Sequence, residues 1–242
     1  MPGLDKYFKP YSNELKKRFL KKNDFVLEIG CNDGIMLQYF TNNYRTLGVD
    51  PATNVTLRAL KKGMQVLPLF FTNKLADKIQ NEWGHANLIY GNNCIAHLND
   101  VRDLIKGVKN LLHKKGVFVL ECNYWGGMVK NTNYSLIYHD HYSYFSVNVW
   151  EKFLKQFNMK IFDATVTPAQ GGSLRLFICK NNRKISKRKI ELSLKEKKEK
   201  LNTFATSLKY KASVNKISNK LYKIVDKIKK EGNKIAGYGA AA

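Results

Sequence analysis

The sequence predicts an α/β fold: a mostly parallel sheet with helices on both faces, finished by an antiparallel hairpin and followed by a helical extension. Three observations carry this expectation. Short apolar runs alternate with stretches of helical spacing as far as residue 120, the signature of a parallel sheet. Two later strand-like runs are joined by a turn with no helix between them. From residue 183 onward, apolar residues step by threes, fours and one seven among many lysines, which predicts amphipathic helix.

Residues 5–22 mix aromatic, apolar and basic positions with Leu15 and Phe19 four apart, and predict a helix. The first strand is Phe25-Val26-Leu27-Glu28-Ile29, ending in Gly30-Cys31-Asn32-Asp33-Gly34; a helix with Ile35, Leu37, Gln38 and Phe40 is expected next. Thr46–Val49 is the second strand and closes on Asp50-Pro51. Met64–Phe71 is the third, Ala86–Tyr90 the fourth and Val117–Leu120 the fifth. Helices are expected near 53–62, 73–82 and 100–113, the last stopped by basic residues and Gly116. Lys160–Val166 and Leu174–Cys179 form the hairpin. Three units follow: residues 1–180 as the sheet domain, 181–232 as a lysine-rich helical extension, and 233–242 as a strand entering a Gly-x-Gly turn.

The 242 residues carry a net charge of +23, and residues 181–242 alone hold 18 basic and 5 acidic side chains. Such a charge raises nucleic acid as a partner. The aromatic residues, however, are not interleaved with the basic tail as stacking platforms would be. The apolar stripe there is expected to pack on the sheet domain while the lysines face water. No apolar run approaches the roughly 18 residues of a membrane span, and the N-terminal residues lack a signal-peptide pattern, so a cytoplasmic protein is expected. Cys31, Cys94, Cys122 and Cys179 stand far apart without a C-x-x-C pair. They read as buried reduced thiols, and no metal site is expected.

The turn after the first strand suits a ligand. Gly30 and Gly34 let the backbone turn sharply and approach a bound group. Glu28 and Asp33 disfavour a pyrophosphate and favour a cationic ligand, and S-adenosylmethionine, with its sulfonium and ammonium, fits. Asp50, twenty residues beyond Gly30, is placed to accept two ribose hydroxyls; a capping role before Pro51 is the alternative. Asn92-Asn93 ends the fourth strand on the same sheet edge. The richest polar cluster is Tyr138-His139-Asp140-His141-Tyr142-Ser143-Tyr144-Phe145, after the flexible stretch Trp125-Gly126-Gly127. Histidine can take a proton from carbon and tyrosine can hydrogen-bond an enolate; aromatic packing over the sheet is the competing reading.

The blocks E-I-G-C-N-D-G, L-G-V-D-P, G-N-N-C-I-A-H, G-V-F-V-L-E, Y-H-D-H-Y-S-Y-F-S and G-G-S-L-R resemble successive motifs of the sugar C-methyltransferases. The first block is shared by many methyltransferases, and the last two are far more specific. The resemblance spans about residues 24–180 in colinear order, with a looser match in the terminal G-Y-G-A-A-A. It implies a Rossmann-like class I methyltransferase sheet and a cofactor, S-adenosylmethionine, held by Glu28, Gly30, Asn32, Asp33, Gly34, Asp50, Pro51, Asn92 and Asn93. It also implies a nucleotide-linked keto-deoxysugar methylated next to its ketone through an enolate. The resemblance makes His141 and Tyr138 the base and the enolate stabiliser, with His97 and Asp140 as further catalytic candidates. Asp140 stands where relatives carry Glu, and Gln170 where they often carry His. Arg175 has two readings, a phosphate contact or a strand-edge salt bridge.

Family members normally begin with a zinc domain and continue past G-Y-G-A-A-A into a second α/β domain. The chain is therefore expected to be a truncated core, with a partner chain supplying the missing parts if the enzyme is split. Two other functions stay open at this point, a remnant that binds the cofactor only and a nucleic-acid methyltransferase.

Overall fold

The computed structural model describes residues 2–237. Its centre is a seven-stranded sheet: β1 (Phe25–Ile29), β2 (Arg45–Val49), β3 (Val66–Leu67), β4 (Ala86–Asn92), β5 (Leu112–Asn123), β6 (Lys160–Thr167) and β7 (Ser173–Cys179). Their order is β3-β2-β1-β4-β5-β7-β6, with β7 antiparallel to both β5 and β6 and the other pairs parallel. Chain direction across the sheet reverses between β1 and β4. Open α/β sheets bind ligands at such a switch point, beyond the carboxyl ends of the strands.

Side-chain alternation along the strands divides the core into two layers. Phe25, Leu27, Ile89, Phe118 and Leu120 face α3 (Asn73–Trp83), α4 (Val101–Leu111) and α6 (Val147–Lys155). Val26, Leu88, Tyr90, Val119 and Phe177 face α1 (Pro2–Phe19) with Met36 and Phe40. Completely buried side chains such as Leu27 and Phe118 each contribute about 1.5–3 kcal/mol of transfer free energy. Side-chain oxygens of Thr72, Asp100 and Ser146 cap α3, α4 and α6, satisfying amides that have no partner within the helix.

Several elements differ from the sequence expectation. After Gly34 there is only a 3₁₀ turn, Leu37–Tyr39. Met36 and Phe40 enter the α1-side layer while Leu37 enters a separate cluster with Cys31 and with Ala59 of α2 (Thr53–Lys61), so the segment has no single apolar face. β3 is two residues long because Pro68 has no N–H to donate, and Phe70 beyond it is 66% exposed. Gly116 lies within β5 rather than ending a helix. Leu112 pairs with Ala86, and the register resumes at Val117 opposite Leu88. A Cβ on Gly116 would lie 2.9 Å from the Ala86 carbonyl oxygen, so the bulge needs glycine. Trp125-Gly126-Gly127 opens a helix, α5 (Trp125–Asn131), and α6 follows the polar cluster.

The extension folds as α7 (Lys187–Lys198) and α8 (Phe204–Lys230). α7 is integral to the domain: Glu196 is buried and accepts from the backbone N–H groups of Val147 (2.8 Å) and Asn148 (2.9 Å), at the start of α6. Asp163, also buried, holds Arg18, Arg188 and Ser186. Burial pushes its carboxyl up, but the hydrogen bonds from Arg188, Ser186 and Arg18 outweigh this and hold it at about 2.

The apolar stripe of α8 does not pack on the domain as expected. Tyr210 is buried, whereas Ile217, Leu221 and Ile224 are 41–53% exposed. The helix touches the sheet domain through its first turns, where Tyr210 meets Trp125 at 5.0 Å between ring centroids. Residues 233–237 have no regular structure, and residues 238–242, with the rest of the expected strand and Gly-x-Gly turn, lie outside the described residues. All four cysteines are free, three buried and Cys94 half-buried. Among the described residues no helix is long and apolar enough to cross a membrane.

Candidate active site

The carboxyl ends of β1, β2 and β4 frame a cavity of about 190 Å³, lined by Gly30, Asp50, Pro51, Phe71, His97 and Leu98 among others. Gly30 turns the chain out of β1 with φ +71°, and a Cβ there would stand 2.7 Å from the Cβ of Cys94. Glycine is required on both counts. Asn32, at φ +52°, directs its N–H at Asp50 Oδ2 (3.0 Å), while the Ala52 N–H donates to Oδ1 at 2.9 Å. The Asp50 carboxylate is thus fixed by two backbone donors, and each oxygen keeps acceptor capacity toward the cavity.

The other expected cofactor residues are arranged around this cavity without lining it. Glu28 is buried beside Tyr90, whose hydroxyl donates to Oε2 at 3.1 Å. Burial pushes the Glu28 carboxyl well up, toward the neutral form, so it is not the open counter-charge expected of it. Asp33 faces outward to Lys62, with 3.6 Å between Nζ and Oδ2. Gly34, at φ +77°, packs against Met64. Asn92 Nδ2 reaches Met36 Sδ at 3.1 Å, and Asn93, at φ +53°, is held by its N–H to the Glu121 carbonyl. The Oδ1 atoms of Asn92 and Asn93 are buried and lack a protein partner. Phe70 and Cys94 also line the cavity; the run Leu67–Phe71 reads in sequence as plain strand, which conceals the roles of Phe70 and Phe71.

The polar cluster stands against the same cavity. His97 closes the 3₁₀ turn Ile95–His97 after β4, and its ring lies 4.7 Å from that of His141. The loop carrying Tyr138 and His141 is tied down on its C-terminal side: the Tyr142 N–H donates to the Ala96 carbonyl, and the Trp125 N–H to that of Phe145, both at 2.8 Å. His141 is 9% exposed. Its Nδ1 lies 2.8 Å from the Leu136 carbonyl oxygen and its Nε2 lies 2.9 Å from the Tyr138 hydroxyl. A carbonyl only accepts, so Nδ1 carries the proton and Nε2 presents a lone pair to Tyr138.

Asp140 contributes differently from expectation. Its carboxylate points outward to His139 Nε2 at 3.3 Å, and its backbone carbonyl is the group that meets His97 Nδ1, at 3.0 Å. The shorter reach of Asp relative to Glu therefore does not enter the site. Of the two readings of Arg175, the salt bridge is the observed one. Buried on β7, it donates from Nε to Glu121 Oε2 at 2.7 Å and from a terminal nitrogen to the Tyr7 hydroxyl at 2.8 Å. Its guanidinium also sits 3.3 Å from the Tyr11 ring centroid, leaving no open face for a phosphate.

The chain is similar to known methyltransferases in sequence and in fold. The family model of the methyltransferase domain matches residues 5–163, and that of the C-methyltransferase C-terminal domain matches residues 168–242. The C-methyltransferase NovU of Streptomyces niveus is 28% identical over 224 residues, covering 91% of this chain and 53% of that protein. The chain thus spans about half the length of this relative. A SAM-dependent methyltransferase from Anabaena variabilis superposes with a TM-score of 0.55 at 15% identity, over 70% of this chain and 82% of that one. Magnesium protoporphyrin IX methyltransferase from Synechocystis, solved with bound SAH, gives 0.55 at 14% identity, over 74% and 84%. These two structures share the sheet and its helices. By its fold and by the match over residues 5–163, the chain belongs to the methyltransferase-domain family.

Proposed function

We propose that this chain carries out S-adenosylmethionine-dependent methylation of carbon, on a nucleotide-linked keto-deoxysugar, at the position next to the ketone. One observation carries the reading: His97 lines the cavity beside Asp50, and its ring centroid at the same time lies 4.7 Å from that of His141. A methyl-donor pocket and a proton-accepting cluster therefore share a wall.

The residues around the cavity suit the donor. Asp50 offers two pre-oriented carboxylate oxygens to ribose hydroxyls, Gly30 leaves room for close approach, and Phe71 and Leu98 give an apolar surface for a purine. The unpartnered Oδ1 atoms of Asn92 and Asn93 suit an ammonium group. Bound there, S-adenosylmethionine supplies an electrophilic methyl group to a carbanion and leaves as a neutral thioether.

The chain's own residues must generate that carbanion. Nε2 of His141 takes the proton from the carbon beside the ketone, and Nδ1–H, held by Leu136, keeps the ring in the basic tautomer. The Tyr138 hydroxyl rests on Nε2 in the free protein. A ketone oxygen competing for that hydroxyl frees the nitrogen lone pair and gains the donor that stabilises the enolate. Binding and activation are thereby coupled through one side chain.

Methyl transfer from labelled S-adenosylmethionine to a panel of nucleotide-linked 4-keto sugars tests the function. Label on the carbon beside the ketone supports it. Cofactor binding by calorimetry with silence across the panel would instead favour a cofactor-binding unit that needs a partner chain, and loss of cofactor binding itself would overturn the reading.

A further inference from the structure

Asn123 ends β5 two residues beyond Glu121, on the same face of the strand, and is 3% exposed. It pairs with Ser173 across the sheet, which fixes its backbone and directs its amide at the His141 ring. Nδ2 stands 3.2 Å from His141 Nδ1, and Oδ1 is buried without a partner. Among the described residues the ring's hydrogen-bond partners are Asn123, Leu136 and Tyr138. None is a carboxylate, and the other titratable rings facing it are His97 and Tyr144.

The 2.8 Å contact with the Leu136 carbonyl places the proton on Nδ1. An NH₂ group facing that N–H would set two donors against each other. A half-turn of the amide puts Oδ1 there instead, so one ring N–H is shared by two acceptors and the buried oxygen gains a donor. One end of the amide lacks a protein partner in either orientation, so the choice is decided at the ring.

We infer that Asn123 is a positioning residue for His141: its amide oxygen and the Leu136 carbonyl together hold the proton on Nδ1 and keep Nε2 bare for the substrate. The inference rests on His141 being the base of the proposed reaction. When Nε2 takes a proton, the same two acceptors stabilise the imidazolium, as the buried carboxylate does in a serine-protease triad. A neutral amide does this more gently than a carboxylate, and a base that must later release its proton benefits from that.

Long-range ¹H–¹⁵N correlation spectra of the histidine-labelled full chain, with His141 assigned through His141→Gln, read the tautomer directly. The wild type is expected to show the Nδ1–H form. Asn123→Leu is expected to populate the Nε2–H form and to lower kcat about tenfold or more, with cofactor affinity and substrate KM unchanged. Asn123→Asp restores both the Nδ1–H form and kcat relative to the leucine variant. A wild-type ring protonated on Nε2 alone would overturn the inference, as would a leucine variant with wild-type tautomer and kcat. If the leucine variant fails to fold, the wild-type spectrum still decides. The spectrum is read on the protein alone, so absence of methylation across all sugars would refute the proposed function separately.

Discussion

Replacing Gly30 with alanine and Cys94 with glycine, singly and together, measures how tightly the cofactor turn is built. Alanine at φ +71° incurs about 1–2 kcal/mol of backbone strain. Its Cβ would also meet the Cβ of Cys94 at 2.7 Å and the sulfur at 3.3 Å. Overpacking of this kind costs about 1–3 kcal/mol, so Gly30→Ala should destabilise the protein by about 2–5 kcal/mol. Cys94→Gly removes both of the clashing atoms but leaves the strain untouched. In that background Gly30→Ala should therefore cost about 1–2 kcal/mol, a coupling of about 1–3 kcal/mol between the sites. Urea denaturation of the four proteins supplies the numbers, and calorimetry with S-adenosylmethionine should show the affinity loss partly restored in the double variant. Additive costs, agreeing within about 0.5 kcal/mol, would refute the claim that Cys94 sets the need for glycine.

Three other predictions rest on separate parts of the molecule. Asp163 has its carboxyl lowered from 3.8 to about 2, so its stabilising effect is complete above pH 4 and is lost as pH falls through 2; acid titration should show Asp163→Asn losing about 2 kcal/mol less than wild type over that window. Arg175→Met leaves Glu121 buried without its ion-pair partner, which should cost about 3–5 kcal/mol by urea denaturation; fully retained stability would contradict the buried pair. Tyr210→Ala removes the α8 contacts with Trp125 and with the Asn133 carbonyl (3.2 Å), so methyl transfer should fall about tenfold while calorimetry finds cofactor affinity unchanged; equal losses in both would place α8 outside the catalytic loop's support.

What was legible in the sequence was local. The turn from Gly30 to Gly34 and the carboxylate at Asp50 could be read because each is set by residues within a few positions of a strand end. The hairpin of β6 and β7 was legible for the same reason. Gly116 misled, because a glycine after a basic helical turn looks the same whether it ends a helix or permits a bulge; only the Ala86 carbonyl across the strand distinguishes them. Glu28 could be identified as part of the motif but not by its role, since Tyr90 reaches it from a strand 62 residues away. Asn123 and Leu136 were invisible to the sequence for a stronger reason. One acts through strand register and the other through a backbone carbonyl, which every residue possesses. The exposed stripe of α8 shows the converse limit: apolar spacing predicts a helix well but does not say what the helix meets.

As the proposed base, His141 removes a proton from the sugar carbon beside the ketone. Exchange of that proton for deuterium can be followed by NMR in D₂O, using a nucleotide-linked 4-keto sugar and S-adenosylhomocysteine, without any methyl transfer. Exchange is expected with the wild type and, in His141→Gln, a rate lower by about a hundredfold or more. Bound sugar that does not exchange with the wild type, or that exchanges equally well in His141→Gln, would contradict this role for His141.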